Sequence, residues 1–286
     1  MTEELRLLAV HAHADDESIT MGGLMAVYGD QGIRVRLITC TDGQLATIFD
    51  PTMDEETTRP ILGEVRRKEL AKACDVLGVK EVEFLGYHDS GMAGADTNHD
   101  PIAFWKTNID EAVGRVVAQI REFRPHVVVT YDANGGYGHP DHIQAHRVTV
   151  LAIEAANEHN MYPGTGETWE VSKLYYTAFP VSVARQMVQM AKDAGMDPPF
   201  GDMSADDMPF TTPDHLITAD IDVTGGVLRK RNALRAHRSQ IPDDWPMLSV
   251  PDEMALQVMN REYFQRAWTR VQAPDREDDL FAGIRN

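Results

Sequence analysis

Residues 11–18 read His-Ala-His-Ala-Asp-Asp-Glu-Ser and follow the apolar run Leu5-Arg-Leu-Leu-Ala-Val10. His13 and Asp16 stand three residues apart, so a neutral imidazole and a carboxylate can reach one small divalent cation if the chain turns as it leaves a strand. Asp15 is then left over, close to the cation and free to move protons. Two ligands do not complete a catalytic zinc site, which usually takes three from the protein and keeps a fourth position for water. A second cluster, Gly136-Tyr-Gly-His-Pro-Asp-His142, can supply the third.

For two clusters so distant in sequence to meet, the elements between them must bring them to one place. Short β-branched runs alternate with helical periodicity: strand 5–12, helix 19–31, strand 33–40, helix 62–77, strand 81–85, helix 108–123, strand 125–131 and helix 142–158. This alternation predicts an α/β fold with a doubly wound, mostly parallel, Rossmann-like sheet of about five strands and helices on both faces. The runs Val35–Cys40 and His126–Tyr131 are apolar enough for central parallel strands, and Lys173–Ala178 is expected to be the fifth. In a 3-2-1-4-5 strand order the first and fourth strands are neighbours where the order reverses, so both clusters would leave carboxyl ends facing one crevice. The long connections 41–61 and 86–107 leave the same side and are expected to wall the pocket. No Gly-x-Gly-x-x-Gly follows the first strand, which disfavours dinucleotide binding. The less regular second half carries a strand at Leu216–Asp222 and a helix over Arg229–Arg238. The expected division is a catalytic core over 1–180 and a smaller C-terminal α+β subdomain over 181–286 that helps to form the pocket.

The net charge of −18 excludes the clustered basic footprint of a nucleic-acid-binding protein and would repel anionic membranes, leaving a small neutral or cationic molecule as the expected ligand. The amino terminus lacks the basic and apolar regions of a signal peptide, and no apolar run approaches the ~20 residues that span a bilayer. Cys40 and Cys74 lack Cys-x-x-Cys spacing and read as free buried thiols. Together these predict a cytoplasmic protein with neither nucleic-acid nor membrane partners. Its oligomeric state is left open.

Four segments carry a family resemblance: His11–Ser18, Asp89-Ser-Gly-Met-Ala-Gly94, Thr130–His142 and Leu234-Arg-Ala-His-Arg-Ser-Gln240. In this order they resemble the PIG-L/LmbE-type metal-dependent de-N-acetylases, most of all the mycothiol-pathway branch. The resemblance implies His13, Asp16 and His142 as ligands of zinc, with iron(II) an alternative that the same donors accept. It implies a hydrolase acting on the acetamide of an N-acetylglucosamine conjugate, most specifically N-acetylglucosaminyl-inositol. A mycothiol S-conjugate amidase, a deacetylase of another amino sugar, and a non-catalytic carbohydrate-binding protein on the same scaffold stay open beside it. Two departures stand out: Ala14 replaces the family's usual proline, and Ile19-Thr20-Met21 stands where relatives often carry a polar or basic residue.

Within that resemblance Asp15 is expected to be the general base. His139, protonated and held charged by Asp141, is expected to stabilise the oxyanion and protonate the departing amine. Tyr137, in a glycine-rich turn, is expected to polarise the amide carbonyl. Arg66 and Asp89 match positions that hold substrate hydroxyls. Met92 and Trp105 would wall the pocket or pack in the core, and His11 would support the ligands.

Overall fold

The computed structural model describes residues 4–193, 195, 201 and 203–285. They form a seven-stranded sheet in the order β3-β2-β1-β4-β5-β7-β6. Strands β1 (Arg6–His11), β2 (Arg34–Thr41), β3 (Glu81–Tyr87), β4 (Val127–Thr130) and β5 (Lys173–Ala178) pair in parallel. The expected 3-2-1-4-5 order is therefore present, with its reversal at β1. The sheet runs two strands further than expected, because β7 (Arg261–Thr269) pairs antiparallel with β5, and β6 (Ala219–Asp222) pairs antiparallel with β7.

Strand alternation distributes the core. Leu7 and Ala9 of β1 face one layer with Val127 and Val129 of β4, whereas Leu8 and Val10 face the other with Val128. The first layer is covered by α1 (Asp16–Asp30) and α2 (Leu62–Leu77), with Ala233 of α6 (Val227–Ala236) joining it; the second is covered by α3 (Ile109–Phe123) and α4 (Pro140–Ala156). Between α4 and α6 in chain order lies α5 (Val181–Asp193), and α7 (Asp252–Val258) precedes β7. Among the described residues no helix is long and apolar enough to cross a membrane.

The strand at β7 escaped sequence reading because its inward positions are chemically mixed. Phe264 is buried, but so is Glu262, which breaks the apolar alternation. The reason for burying a carboxylate lies in α1. Met21 departs from helical geometry (φ −146°, ψ 22°), so a second helical run starts just after it with unsatisfied amides. Glu262 accepts the Gly23 and Leu24 N–H groups at 2.9 and 2.7 Å and the Lys230 ammonium at 2.7 Å. A C-terminal strand thus caps, from across the chain, the helix that begins at the first histidine cluster. Truncating Glu262 to alanine strands two amides and a buried ammonium, and should lower stability by about 3 kcal/mol in urea-induced unfolding monitored by circular dichroism.

Candidate active site

The first cluster occupies the turn from β1 into α1, and the second spans the loop from β4 into α4, so both lie at the carboxyl ends of adjacent strands. His13 Nδ1 lies 3.2 Å from His142 Nε2. Asp16 places one oxygen 3.6 Å from His13 Nδ1 and the other 3.5 Å from His142 Nε2. Four ligands at tetrahedral angles and ordinary zinc bond lengths stand ~3.3 Å apart, close to the separation of the two imidazole nitrogens and to that of each from the nearer Asp16 oxygen.

The hydrogen bonds explain why these atoms face one another. His13 Nε2 lies 3.2 Å from the Asp141 carboxylate, and His142 Nδ1 lies 3.2 Å from the Gly135 carbonyl. Each imidazole donates its proton outward, which leaves the lone pairs of His13 Nδ1 and His142 Nε2 turned inward with no proton to share. Two such lone pairs repel unless a proton or a metal ion lies between them, and with the Asp16 carboxylate beside them the donor set fits a divalent metal ion. Asp16 is tied by the Tyr131 hydroxyl, which donates to it at 2.7 Å, and by the His13 N–H at 2.8 Å. The same Tyr131 oxygen accepts the Ala12 N–H at 2.8 Å, and His11 lies behind it with its Nδ1 at 3.2 Å.

Asp16 meets the two imidazoles of His13 and His142 through different oxygens, whereas the groupings among the described residues whose donor atoms all lie within 4.8 Å of one another are His13, His139 and His142, and the set His13, Asp89, His139 and Asp141. Their chemistry suits them less. His139 Nδ1 already accepts the Asp141 N–H at 3.1 Å, Asp89 accepts the Gly91 N–H at 2.8 Å, and Asp141 accepts both the N–H and the hydroxyl of Ser90.

Electrostatics follow the same division. Burial raises Asp16, but His142, His13 and the Tyr131 hydrogen bond outweigh it and hold the carboxyl well below the usual range. Burial lowers His13, yet Asp141, Asp89 and Asp16 together raise it to about 9, which marks the cluster as one that favours positive charge. His142 is lowered to about 4, chiefly by burial. Burial lifts Asp15 to about 6 against the opposing pull of Arg66.

Several expectations change with the geometry. The Asp141 carboxylate serves His13 and Ser90, and it is only its backbone N–H that meets His139. Burial, then the charges of His13 and His142, push His139 down to about 3, so its surroundings favour the neutral imidazole over the charged form expected from sequence. Because Nδ1 accepts, the neutral ring carries its proton on Nε2. Arg66 is 2% exposed, and its guanidinium donates to Ala14 and Gly43 carbonyls at 2.5 and 2.7 Å and lies 3.2 Å from Asp15 Oδ2. It braces the turn that carries Asp15. Trp105 lies outside the cavity lining, and its backbone N–H donates to Ser90 Oγ at 2.9 Å.

Tyr137 is 40% exposed at the cavity mouth, with its ring edge-on to His142 at 5.0 Å between centroids. Burial of its hydroxyl end and the Asp16, Asp15 and Asp89 charges raise the hydroxyl above its ordinary value, so it remains a donor. The loop beneath it needs its glycine at 135. Gly135 has φ 64°, and a Cβ there would meet His142 Cβ at 2.6 Å and the Ile143 nitrogen at 2.7 Å. The cavity measures about 750 Å³, and its lining includes Leu45, Phe49 and Met92 from the two long connections and Phe210, Trp245 and Met259 from the C-terminal part of the chain.

Sequence reasoning missed Tyr131, Ser90 and Glu17 as supports. Glu17 stands inside the first histidine cluster and Tyr131 inside the segment Thr130–His142, but their residue types do not say which partners they reach.

The chain matches the model of the GlcNAc-PI de-N-acetylase (PIG-L) family over residues 8–153, just over half its length. The chain belongs to this family. It is 44% identical over 292 residues to the 1D-myo-inositol 2-acetamido-2-deoxy-alpha-D-glucopyranoside deacetylase of Geodermatophilus obscurus, covering 99% of each. The enzyme of that name from Streptomyces avermitilis is 42% identical over 286 residues, covering 98% of this chain and 97% of its own. In fold the protein is similar to N,N'-diacetylchitobiose deacetylase from Pyrococcus horikoshii, with TM-score 0.63, 21% identity and coverage of 91% and 83%. It is also similar to 4-carboxy-2-hydroxymuconate hydratase from Pseudomonas putida, with TM-score 0.61, 17% identity and coverage of 94% and 99%.

Removing the Tyr131 hydroxyl leaves Asp16 with one fewer donor. Tyr131→Phe should weaken zinc binding roughly 10- to 100-fold in competition with a chromogenic chelator, and His13→Ala should abolish it.

Proposed function

We propose that the protein hydrolyses the acetamide of an N-acetylglucosamine conjugate, releasing acetate and a free amine, with N-acetylglucosaminyl-inositol of mycothiol biosynthesis as its substrate. The observation that carries this reading is the meeting of His13, Asp16 and His142 at 3.2 to 3.6 Å, with the carboxylate of Asp15 beside them on the cavity wall. The full-length likeness to deacetylases of that name supports the substrate.

Zinc is the proposed metal, with iron(II) accepted by the same donors. Held by these three residues, it would supply Lewis acidity, lowering the pKa of a water molecule and polarising a carbonyl. The protein's own groups divide the remaining work. Asp15 accepts the proton of the attacking water and later delivers a proton to the departing nitrogen. His139, as the neutral Nε2–H donor, and the Tyr137 hydroxyl stabilise the oxygen of the tetrahedral intermediate. Asp141 orients His13. Asp89 and Met92 line the cavity where the sugar would lie, and Arg66 also borders it. A cytoplasmic location and a division into a core over 1–180 and a pocket-completing unit over 181–286 belong to the same proposal. Phe210, Trp245 and Met259 on the cavity wall support the pocket-completing role of the second segment, although its strands β6 and β7 continue the sheet of the first.

The apolar residues in the cavity lining, Phe49, Phe210 and Trp245 among them, favour one second reading, an amidase for bulkier mycothiol S-conjugates. Parallel assays separate the two. Acetate release from N-acetylglucosaminyl-inositol is measured with chelator-stripped protein before and after zinc or anaerobic iron(II). Metal-restored turnover is the expected result; verified metal binding without turnover would move the assignment to the conjugate amidase or another amide. Asp15→Asn should keep metal and lose roughly 10²- to 10⁴-fold in kcat, and near-native turnover would remove Asp15 from the base position.

A further inference from the structure

The segment Leu234–Gln240 supplies neither a metal donor nor a proton-transfer group, yet it reaches the first histidine cluster. His237 directly follows α6 and is 0% exposed. Its Nε2 lies 2.8 Å from Glu17 Oε1, an oxygen that also accepts the Ser18 hydroxyl at 2.6 Å. The other oxygen of Glu17 accepts the Asp15 N–H at 3.0 Å. His237 Nδ1 is buried without a hydrogen-bond partner among the described residues, and Nε2 meets Glu17 closely and the Ser18 hydroxyl only at 3.5 Å, so the main polar contact of this side chain is Glu17.

Asp15 is the point where that chain of contacts ends, and its backbone is unusual. It has φ 125° and ψ −30°, a region that residues with a Cβ occupy only when their surroundings hold them there. Two grips act on this turn. On one side Arg66 holds the Ala14 carbonyl and lies against Asp15 Oδ2. On the other, Glu17 holds the Asp15 N–H. Glu17 is itself 0% exposed and needs a donor to remain where it is, and His237 is one of the two side chains that provide it. Apolar side chains at 17 and 237 would fill the same space without desolvating a carboxylate and an imidazole, so filling space does not account for the pair.

We propose that His237 is a positioning residue for Asp15, acting through Glu17 to hold the Ala14–Asp15 peptide so that the Asp15 carboxylate turns into the cavity. The inference rests on the reading of Asp15 as the proton acceptor. His237 lies outside the metal donor set, so its loss should affect turnover without affecting metal binding.

The test compares wild type with His237→Leu, His237→Gln and Glu17→Gln in three measurements: zinc affinity by chelator competition, hydrogen exchange of the 12–18 segment by mass spectrometry, and kcat and KM for acetate release. His237→Leu and Glu17→Gln should keep zinc affinity, exchange the segment about tenfold faster, and lose roughly 10- to 100-fold in kcat with KM nearly unchanged. His237→Gln retains a donor for Glu17 and should recover most of both losses. Unchanged exchange and kcat in His237→Leu would overturn the proposal. A kcat loss matched by an equal loss of zinc affinity would overturn it too, by making His237 a support of the donor set. If His237→Leu fails to fold, Glu17→Gln and His237→Gln decide on the same criteria. Absence of acetate release by wild type would count against the functional reading alone, since exchange still reports whether His237 holds the turn.

Discussion

Parallel pairing of β1 with β4, with Leu7 opposite Val127 and Ala9 opposite Val129, sets two strand ends side by side where the sheet reverses its order. Each strand is buried on both faces, so neither can slide by one residue without turning its apolar side chains into the wrong layer. The two turns beyond the strands inherit that fixed register. Tyr131, one residue past β4, then bonds both Asp16 and the Ala12 amide, and so ties the second turn to the first. The inward-facing lone pairs of His13 and His142 depend on this register more than on any single contact between them.

The C-terminal third joins this frame through the β5–β7 pairing, through a shared apolar core that buries Ile221, Phe264 and Phe281, and through buried polar and charged contacts. Glu262 meets Lys230 and the amides of α1, Glu69 meets Ser239, and Glu277 meets both the Lys173 ammonium and the Tyr175 hydroxyl. Such pairs add little net stability over apolar packing, but they tolerate only one partner geometry. Specificity of placement is what the cavity requires from a segment that arrives late in the chain. An acidic protein of net charge −18 thus keeps several of its carboxylates inside, each matched to a donor from elsewhere in the sequence.

How much of this was legible follows from where the signal lay. The first five strands and their order could be read because parallel central strands are continuous apolar runs, and Val35–Cys40 and His126–Tyr131 are such runs. The meeting of His13, Asp16 and His142 followed from that order. The seventh strand could not be read, since Glu262 interrupts its alternation for a purpose visible only once α1 is folded. Partner choice was equally hidden: nothing in the residue types says that Asp141 turns to His13 instead of His139, or that Arg66 grips backbone carbonyls. Those outcomes depend on sub-ångström placement within a buried cluster. The similar scaffold of a hydratase shows the same limit from the other direction, since architecture alone does not choose among chemistries.

His142 owes its orientation to an oxygen that belongs to no side chain. The Gly135 carbonyl receives its Nδ1 proton, and the same residue has no room for a Cβ against His142. Mutation therefore meets an asymmetric barrier at this position. Genetic change cannot delete the acceptor, because every amino acid carries it, yet even the smallest side chain displaces it. Position 135 should tolerate no replacement at all, although it contributes no functional group of its own to the chemistry.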